Sequence, residues 1–279
     1  MSKNAFRIGS AAALLGAAAL VLPAAAGAAP GSLGSLDPGS SGGSSGSSGG
    51  FTCSALSTED TPNGWGIPFD DELGQDAFYT ADTVFDDDGS LELRVDGPTD
   101  RSVSYHEAGG IELSDAITED IAFAEKRAGN SIAAFQLRLT GTTDNTTHPV
   151  NGFTTLVWEA TYNGGADATT GVTNAALEDG LWWSTSNIAG AQNRVPVSLA
   201  SIAAANPDAV VDHYGVGIGT GAAATSTLVD EVTFNGCTTN FALEDPESSS
   251  LGSLGSLDLF GSLSTLFGSL NGSSGSLGS

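Results

Sequence analysis

Basic residues are scarce in this chain. Its 279 residues include eight Lys and Arg against 33 Asp and Glu, a formal net charge of −25 at pH 7. Two of the bases, Lys3 and Arg7, lie near the N-terminus, so the chain beyond residue 28 has 33 acidic and six basic residues and a net charge of −27. Such a surface repels polyanions. The composition therefore argues against nucleic acid and anionic lipid headgroups as partners.

Long apolar runs are equally scarce, and the one clear example lies near the N-terminus. Lys3 and Arg7 precede the stretch AAALLGAAALVLPAAA, and the small residues AGA follow it. This pattern predicts a signal peptide over residues 1–28, cleaved before Ala29. The run is shorter than the ~20 residues of a membrane-spanning helix. We therefore expect no transmembrane segment after cleavage, and a protein that is secreted, extracellular or associated with the cell envelope.

Cysteine is limited to two residues, Cys53 and Cys237. Neither has a C-x-x-C partner or a neighbouring His, which argues against zinc and dithiol redox chemistry. In an exported protein the two thiols are predicted to form a disulfide. The bond closes a loop of 184 residues, which corresponds to a stabilisation of about 5 kcal/mol in the chain-entropy description.

Composition divides the rest of the chain into three parts. Residues 29–50 form a Gly/Ser-rich linker, residues 51–243 contain every Trp and His, and residues 244–279 form a low-complexity Gly/Ser/Leu tail. The two Gly/Ser-rich segments cannot bury a core, so we expect disordered tails on both sides of one domain. Leu and Phe recur in the C-terminal tail at three- and four-residue spacing, which leaves open an amphipathic, envelope-associating segment.

Period-two alternation of apolar and polar residues dominates the central domain. In SLELRV, Leu91, Leu93 and Val95 share one face, with Glu92 and Arg94 opposite. Eight further segments show strand patterns: SVSYHE, GIELS, DIAFAE, SIAAFQLRL, TTLVWEATY, GLWWSTS, VVDHYGVGIG and STLVDEVTF. Such a series of short alternating segments separated by turn residues is typical of an all-β domain.

One helix and one tight turn complete the expected elements. The segment SLASIAAANPD predicts a helix with Ser198 as N-cap that ends before Pro207. The dipeptide Asp88-Gly89 predicts a two-residue hairpin turn. Strands around one short helix, without βαβ alternation, predict an antiparallel, jelly-roll-like β-sandwich.

The adjacent pair Trp182 and Trp183 in GLWWSTSN is the leading candidate for ligand recognition. Successive side chains of a strand point to opposite faces, so one Trp is expected in the core and the other outside. An outward Trp on a sandwich face is how many carbohydrate-binding modules stack a sugar, although a loop or helix can also cover it. Trp158 and Tyr162 would extend such a surface if they lie on the same face.

Acidic turns provide a weaker candidate site for a metal. In the run DDDG, aligning Gly89 with the sixth position of an EF-hand loop places Val at both the first and the twelfth ligand positions, which excludes an EF-hand. A structural calcium ion held by Asp70, Asp71 or Asp86 remains an alternative to simple solvated turns. The sequence indicates no other cofactor.

Catalytic motifs are missing from the sequence. Glycoside hydrolysis requires two carboxylates across the sugar, and the nearest pair, Asp230 and Glu231, falls on opposite faces of a strand. The pattern G-x-S-x-G at residues 42–46 lacks a strand-turn-helix context. Three histidines lie far apart in the sequence: His106, His148 and His213. A non-enzymatic protein is therefore expected, and a polysaccharide-acting hydrolase is the least favoured alternative.

Several segments together resemble a known type of domain. They are PNGW, the WW pair, SLASIAAANPDAVVDHYGVGIGTG and VDEVTFNGCTTNF. Over residues 55–241 they resemble a β-sandwich domain of uncharacterised function in secreted and cell-surface proteins of high-GC Gram-positive (actinobacterial) bacteria. The two cysteines, and CTTNF in place of an aromatic before Phe241, depart from that pattern. The resemblance implies an accessory, adhesive or structural role and transfers no catalytic residues.

The sequence therefore predicts an exported, non-enzymatic structural or interaction module of the cell envelope or extracellular space. Envelope glycans or surface proteins are the expected partners. The first alternative is a carbohydrate-binding module that uses an outward-facing Trp.

Overall fold

A computed structural model describes residues 50–71, 74–143 and 152–245. The predicted signal peptide, nearly all of the predicted linker and tail, and His148 lie outside these residues. Within the described ranges, no helix has the length and apolar character that crossing a membrane requires.

Thirteen strands and two short α-helices form the described part of the chain. The strands are β1 (Leu56–Thr58), β2 (Phe78–Thr80), β3 (Ser90–Val95), β4 (Ser102–Glu112), β5 (Ala122–Lys126), β6 (Ala134–Thr140), β7 (Thr154–Glu159), β8 (Val172–Asn174), β9 (Leu181–Ser184), β10 (Val197–Ser198), β11 (Val210–Ile218), β12 (Thr225–Phe234) and β13 (Cys237–Ala242). The helices are α1 (Leu113–Ala116) and α2 (Leu199–Ala205).

The strands form two sheets that pack together as a sandwich. The seven-stranded sheet has the order β1-β13-β12-β3-β2, with β5 paired to β12 and β8 paired to β5. The six-stranded sheet has the order β10-β9-β7-β6-β11-β4 and is antiparallel throughout. In the seven-stranded sheet, β1 and β13 run parallel. The all-β sandwich with a short helix predicted from the sequence is confirmed.

The predicted helix is α2, and its N-cap is as expected. The backbone N–H of Ser201 donates to Oγ of Ser198 at 3.3 Å. The predicted two-residue hairpin turn at Asp88-Gly89 is wrong, because β2 and β3 pair across the longer loop 81–89. A glycine is needed at position 89 for another reason. Its φ is +126°, and a Cβ there would lie 2.6 Å from the backbone nitrogen of Leu243.

The core lies between the sheets. It is built from the apolar residues that occupy every second position of the strands. It contains a series of aromatic rings in contact. Tyr214 and Phe234 stack with their ring centroids 4.4 Å apart, and Trp65 meets Phe241 edge to face at 4.9 Å. Each such pair contributes about 0.5–1.5 kcal/mol beyond the burial of its surface.

The predicted disulfide is confirmed. Cys53 and Cys237 are bonded, with their Cα atoms 5.5 Å apart. The bond joins the segment before β1 to the first residue of β13, and the parallel pairing of these two strands continues beyond it. The first and last strands of the sandwich are therefore held together both covalently and by a backbone ladder.

Candidate functional site

The structure places the two adjacent tryptophans on opposite faces of β9, as strand geometry predicts. The side chain of Trp182 is 0% exposed, and its Nε1 donates to the carbonyl oxygen of Leu177 at 2.7 Å. Trp183 lies on the outer face of the six-stranded sheet, where its Nε1 donates to Oε2 of Glu159 at 3.1 Å. Trp183 is therefore the member of the pair that a ligand can reach.

Trp158 lies in the core with Trp182 and does not extend the surface around Trp183. It is directly opposite Trp182 in the β7–β9 register, is 5% exposed, and contacts Phe123 edge to face at 6.0 Å. Tyr162 belongs to the 3-10 turn that follows β7 and is exposed on the same side as Trp183. The aromatic surface thus consists of Trp183 and Tyr162.

These two rings lie along a groove of about 730 Å³ on the outer face of the six-stranded sheet. Part of its lining comes from outward residues of four strands: Trp183 of β9; Thr155, Val157 and Glu159 of β7; Ala134, Gln136 and Arg138 of β6; and Tyr105 of β4, which β11 separates from β6. Because side chains alternate along a strand, β6 and β7 each contribute residues at two-residue spacing. The segments that join the strands supply the rest of the lining, including Asp70, Asp71, Arg101 and Arg194.

Two glycines in β11 allow groups of the neighbouring strands to lie over this strand. Gly215 is paired with Tyr105 of β4, and a Cβ on Gly215 would lie 2.1 Å from the carbonyl oxygen of Ser104. A Cβ on Gly217 would lie 3.1 Å from Nε2 of Gln136. Side chains from the adjacent strands occupy the space above β11, and the alternating glycines in HYGVGIG are the sequence signal of this arrangement.

Arg138 is the central charged residue of the groove. It is 5% exposed, and its guanidinium lies over the rings of Tyr105 and Phe153, 5.5 and 5.0 Å from their centroids. Nη2 donates to Oδ2 of Asp70 at 2.8 Å, and Nη1 donates to Oδ2 of Asp71 at 3.0 Å. Its Nε is buried and has no hydrogen-bond acceptor among the described residues.

Asp70 and Asp71, two of the sequence candidates for calcium, lie in this ion-pair network. Asp71 also approaches Arg101, with Oδ1 and Nη1 3.5 Å apart. A cation placed beside these carboxylates would meet two guanidinium groups, so the network disfavours a metal there.

The groove has balanced charge and a neutral hydroxyl donor. It is lined by three arginines, Arg101, Arg138 and Arg194, and three carboxylates, Asp70, Asp71 and Glu159. Burial raises the pKa of Tyr105 to about 12, so its hydroxyl stays protonated and donates to Oε1 of Gln136.

Asp86, the third calcium candidate, lies outside the groove beside Asp88 and Asp230. One oxygen from each of these three carboxylates lies within 4.8 Å of the others. Burial is the largest cause that raises the pKa of Asp86 to about 6, and the neighbouring Asp88 carboxylate contributes as well. Burial, together with the charges of Asp86 and Asp88, raises the pKa of Asp230 to about 7. Sequence reasoning considered Asp230 only as a catalytic acid, because nothing in the sequence connects it with the DDDG loop.

Within the described ranges, His106 and His213 occupy adjacent register positions of β4 and β11 but share no hydrogen-bond partner. In His106, Nδ1 lies 2.8 Å from the carbonyl oxygen of Glu107 and Nε2 lies 3.1 Å from the carbonyl oxygen of Asn63. Nδ1 of His213 lies 2.6 Å from Oδ2 of Asp212. Both rings are therefore hydrogen-bonded in place, as expected for structural histidines.

The groove and the acidic cluster are the two sites that the chemistry of the described residues defines. Comparison with protein-family models, with curated proteins and with solved structures finds no match to this chain.

Proposed function

We propose that this chain is an exported, non-enzymatic interaction module that binds a glycan in the groove of its six-stranded sheet. The observation that carries the proposal is Trp183, an outward indole at the side of a polar groove. Partners of this kind belong to the cell envelope or the extracellular space.

Trp183 supplies the stacking surface. Its indole is fixed from one side by the hydrogen bond to Glu159, and the exposed side chain of Arg194 lies 5.9 Å from its ring centroid. The C–H face of a sugar packs well against such a ring. A sugar that displaces Arg194 would therefore meet an indole already held in place.

Arg138 and its neighbours supply the polar contacts. The Gln136 and Thr155 side chains line the groove beside Arg138 and provide donors and acceptors for the hydroxyl groups of a ligand. This mixture of aromatic and neutral polar groups matches the surface of a polysaccharide.

The balanced charge of the groove favours an uncharged glycan. The chain as a whole has a net charge of −25, so an acidic polymer is repelled at long range. Within the groove three arginines face three carboxylates, which leaves no excess positive charge to attract a uronic acid or a sulfate.

The position of the acidic groups supports a non-catalytic role. Glycoside hydrolysis requires a carboxyl whose raised pKa lets it donate a proton at the sugar. The carboxylates of the groove already have partners: Asp70 and Asp71 pair with Arg138, and Glu159 accepts the hydrogen bond from Nε1 of Trp183.

Two observations support export. The first 28 residues have the pattern of a signal peptide, and Cys53 and Cys237 are joined in a disulfide. Structural disulfides persist in oxidising compartments and are rare in the cytosol.

The test is binding of the purified full chain to a panel of insoluble polysaccharides and, by affinity electrophoresis, to soluble neutral ones. Trp183→Ala should abolish retention while the melting temperature changes little. Leu181→Ala is the matched control, because Leu181 lies on the same face of β9, is exposed, and does not line the groove. Absence of binding by the wild type, or equal losses in both variants, would contradict the proposal.

A further inference from the structure

Three carboxylates from distant segments converge on the seven-stranded sheet, away from the groove. Asp86 and Asp88 lie in the loop that joins β2 to β3, and Asp230 lies in β12 immediately before a bulge at Glu231, whose φ is +49°. The loop is anchored to the sheet, because the carbonyl oxygen of Asp88 accepts a hydrogen bond from the backbone N–H of Leu243 at 3.0 Å. The cluster thus lies where a loop, a central strand and the last strand meet.

Several side-chain oxygens of this cluster lack a hydrogen-bond donor among the described residues. Asp230 is 1% exposed, and the bonds it accepts from the backbone N–H groups of Glu231 and Phe241, each 2.8 Å long, both end on Oδ1. Within the described residues this leaves its Oδ2 without a donor. The Oδ1 atoms of Asp86, Asp88 and Asn240 are also buried and have no partner in the described part of the chain. Such oxygens are costly to bury unless something neutralises them.

Asn240, a neutral residue, contacts the acidic cluster. It belongs to β13, and its Nδ2 donates to Oδ2 of Asp88 at 2.7 Å. The amide oxygen of the same side chain is buried and has no hydrogen-bond donor among the described residues. A neutral amide oxygen beside three carboxylates is a donor set suited to a cation.

No basic side chain compensates these charges within the described ranges. The ion pairs there join Arg101 and Arg138 to Asp70 and Asp71, or His213 to Asp212. Burial is the largest cause of the raised pKa values of Asp86 and Asp230, and repulsion between the carboxylates adds to it. A divalent cation would remove this repulsion.

We infer that Asp86, Asp88, Asp230 and Asn240 form a calcium site that joins the β2–β3 loop to β12 and β13. Calcium binds six to eight oxygens at about 2.3–2.6 Å, so two of its ligands are at most about 5 Å apart. The three carboxylate oxygens, all within 4.8 Å of one another, meet this condition. Four protein oxygens leave positions for backbone carbonyls or water.

The donor set favours calcium over other divalent ions. It contains only oxygens, whereas zinc and copper sites normally include imidazole or thiolate ligands. Magnesium requires near-ideal octahedral geometry and keeps several of its waters, while calcium accepts an irregular oxygen cage built from several segments. The site does not depend on the glycan-binding proposal, since none of its residues lines the groove.

The test is calorimetric titration of the full chain with calcium chloride after treatment with a chelator. The wild type should bind one calcium ion per chain, and its melting temperature should rise with calcium. Asp86→Asn should weaken binding at least about tenfold and remove most of the thermal shift. Asp87→Asn is the matched control, because Asp87 is exposed in the same loop and outside the cluster.

Asp230→Asn provides a second test, with its fold verified by circular dichroism in chelator. Loss of calcium binding in this folded variant, with Asp87→Asn unchanged, supports the site. The inference is overturned if the wild type takes up no calcium at about 10 mM, well above the weakest constants of extracellular calcium modules. It is also overturned if Asp86→Asn and Asp230→Asn bind calcium like the wild type.

Discussion

Replacing each of the two adjacent tryptophans with alanine should have very different effects on stability. Trp182 is 0% exposed, contacts Phe135 edge to face at 6.1 Å and donates a hydrogen bond to the carbonyl oxygen of Leu177. Removing such a side chain from a core leaves a cavity and costs about 4 kcal/mol. Trp183 loses a contact with Arg194 worth about 1 kcal/mol or less, and water can replace its bond to Glu159. The two variants should therefore differ by about 3 kcal/mol.

Urea unfolding followed by far-UV circular dichroism measures this difference without relying on tryptophan fluorescence. With an m-value of about 2 kcal/mol/M, Trp182→Ala should lower the midpoint by about 2 M and Trp183→Ala by about 0.5 M. Trp182→Phe is a useful third variant if Trp182→Ala does not fold. It keeps an aromatic ring and loses the Nε1 hydrogen bond, so it should fall between the other two.

The expected difference requires the assignment of the two side chains to opposite faces of β9. A loss for Trp183→Ala equal to or greater than that for Trp182→Ala would refute it, because the outward residue would then be part of the core. Unchanged m-values are required for the comparison, since a change in m would mean that the unfolded or native state has changed in compactness.

Two further predictions concern the disulfide and the buried acid. The double variant Cys53→Ser, Cys237→Ser should lose up to about 5 kcal/mol of unfolding free energy, measured by urea titration; a loss near zero would mean that the ladder between β1 and β13 alone holds the ends together. In chelator, the stability of the chain should fall as pH rises from about 4 to about 7, because the unfolded state releases the proton of Asp230 near pH 3.8 while the folded state retains it until about pH 7. The urea midpoint should fall across this range in the wild type and fall less in Asp230→Asn, and parallel slopes would count against a raised pKa of Asp230.

The sequence pattern predicts much of the sandwich because a strand with one buried face has an apolar residue at every second position. Leu91, Leu93 and Val95 are all buried, as their alternation in SLELRV indicates. The same period predicts the split of Trp182 and Trp183. The pattern GIELS, expected as a separate strand, continues SVSYHE in β4 because the two glycines between them, Gly109 and Gly110, adopt positive φ without ending the strand.

The contents of the sites could not be predicted, because they depend on contacts between distant segments. The position of Trp158 is set by its register against Trp182, which only the pairing of β7 with β9 reveals. Asp70 and Asp71 find their partner Arg138 on β6, far along the chain. The bulge at Glu231, which follows Asp230 in β12, has no signal in the sequence.

The disulfide also determines how the domain would respond to mechanical load. Any tension along the chain from the residues before Cys53 to those after Cys237 passes through one S–S bond, since the 184-residue loop between them lies outside the covalent load path. Pulling across this bond would therefore leave the sandwich, its groove and its acidic cluster free of force. Reduction of that single bond would transfer the whole load to the hydrogen bonds between β1 and β13. Once these break, the domain could unfold under the same load.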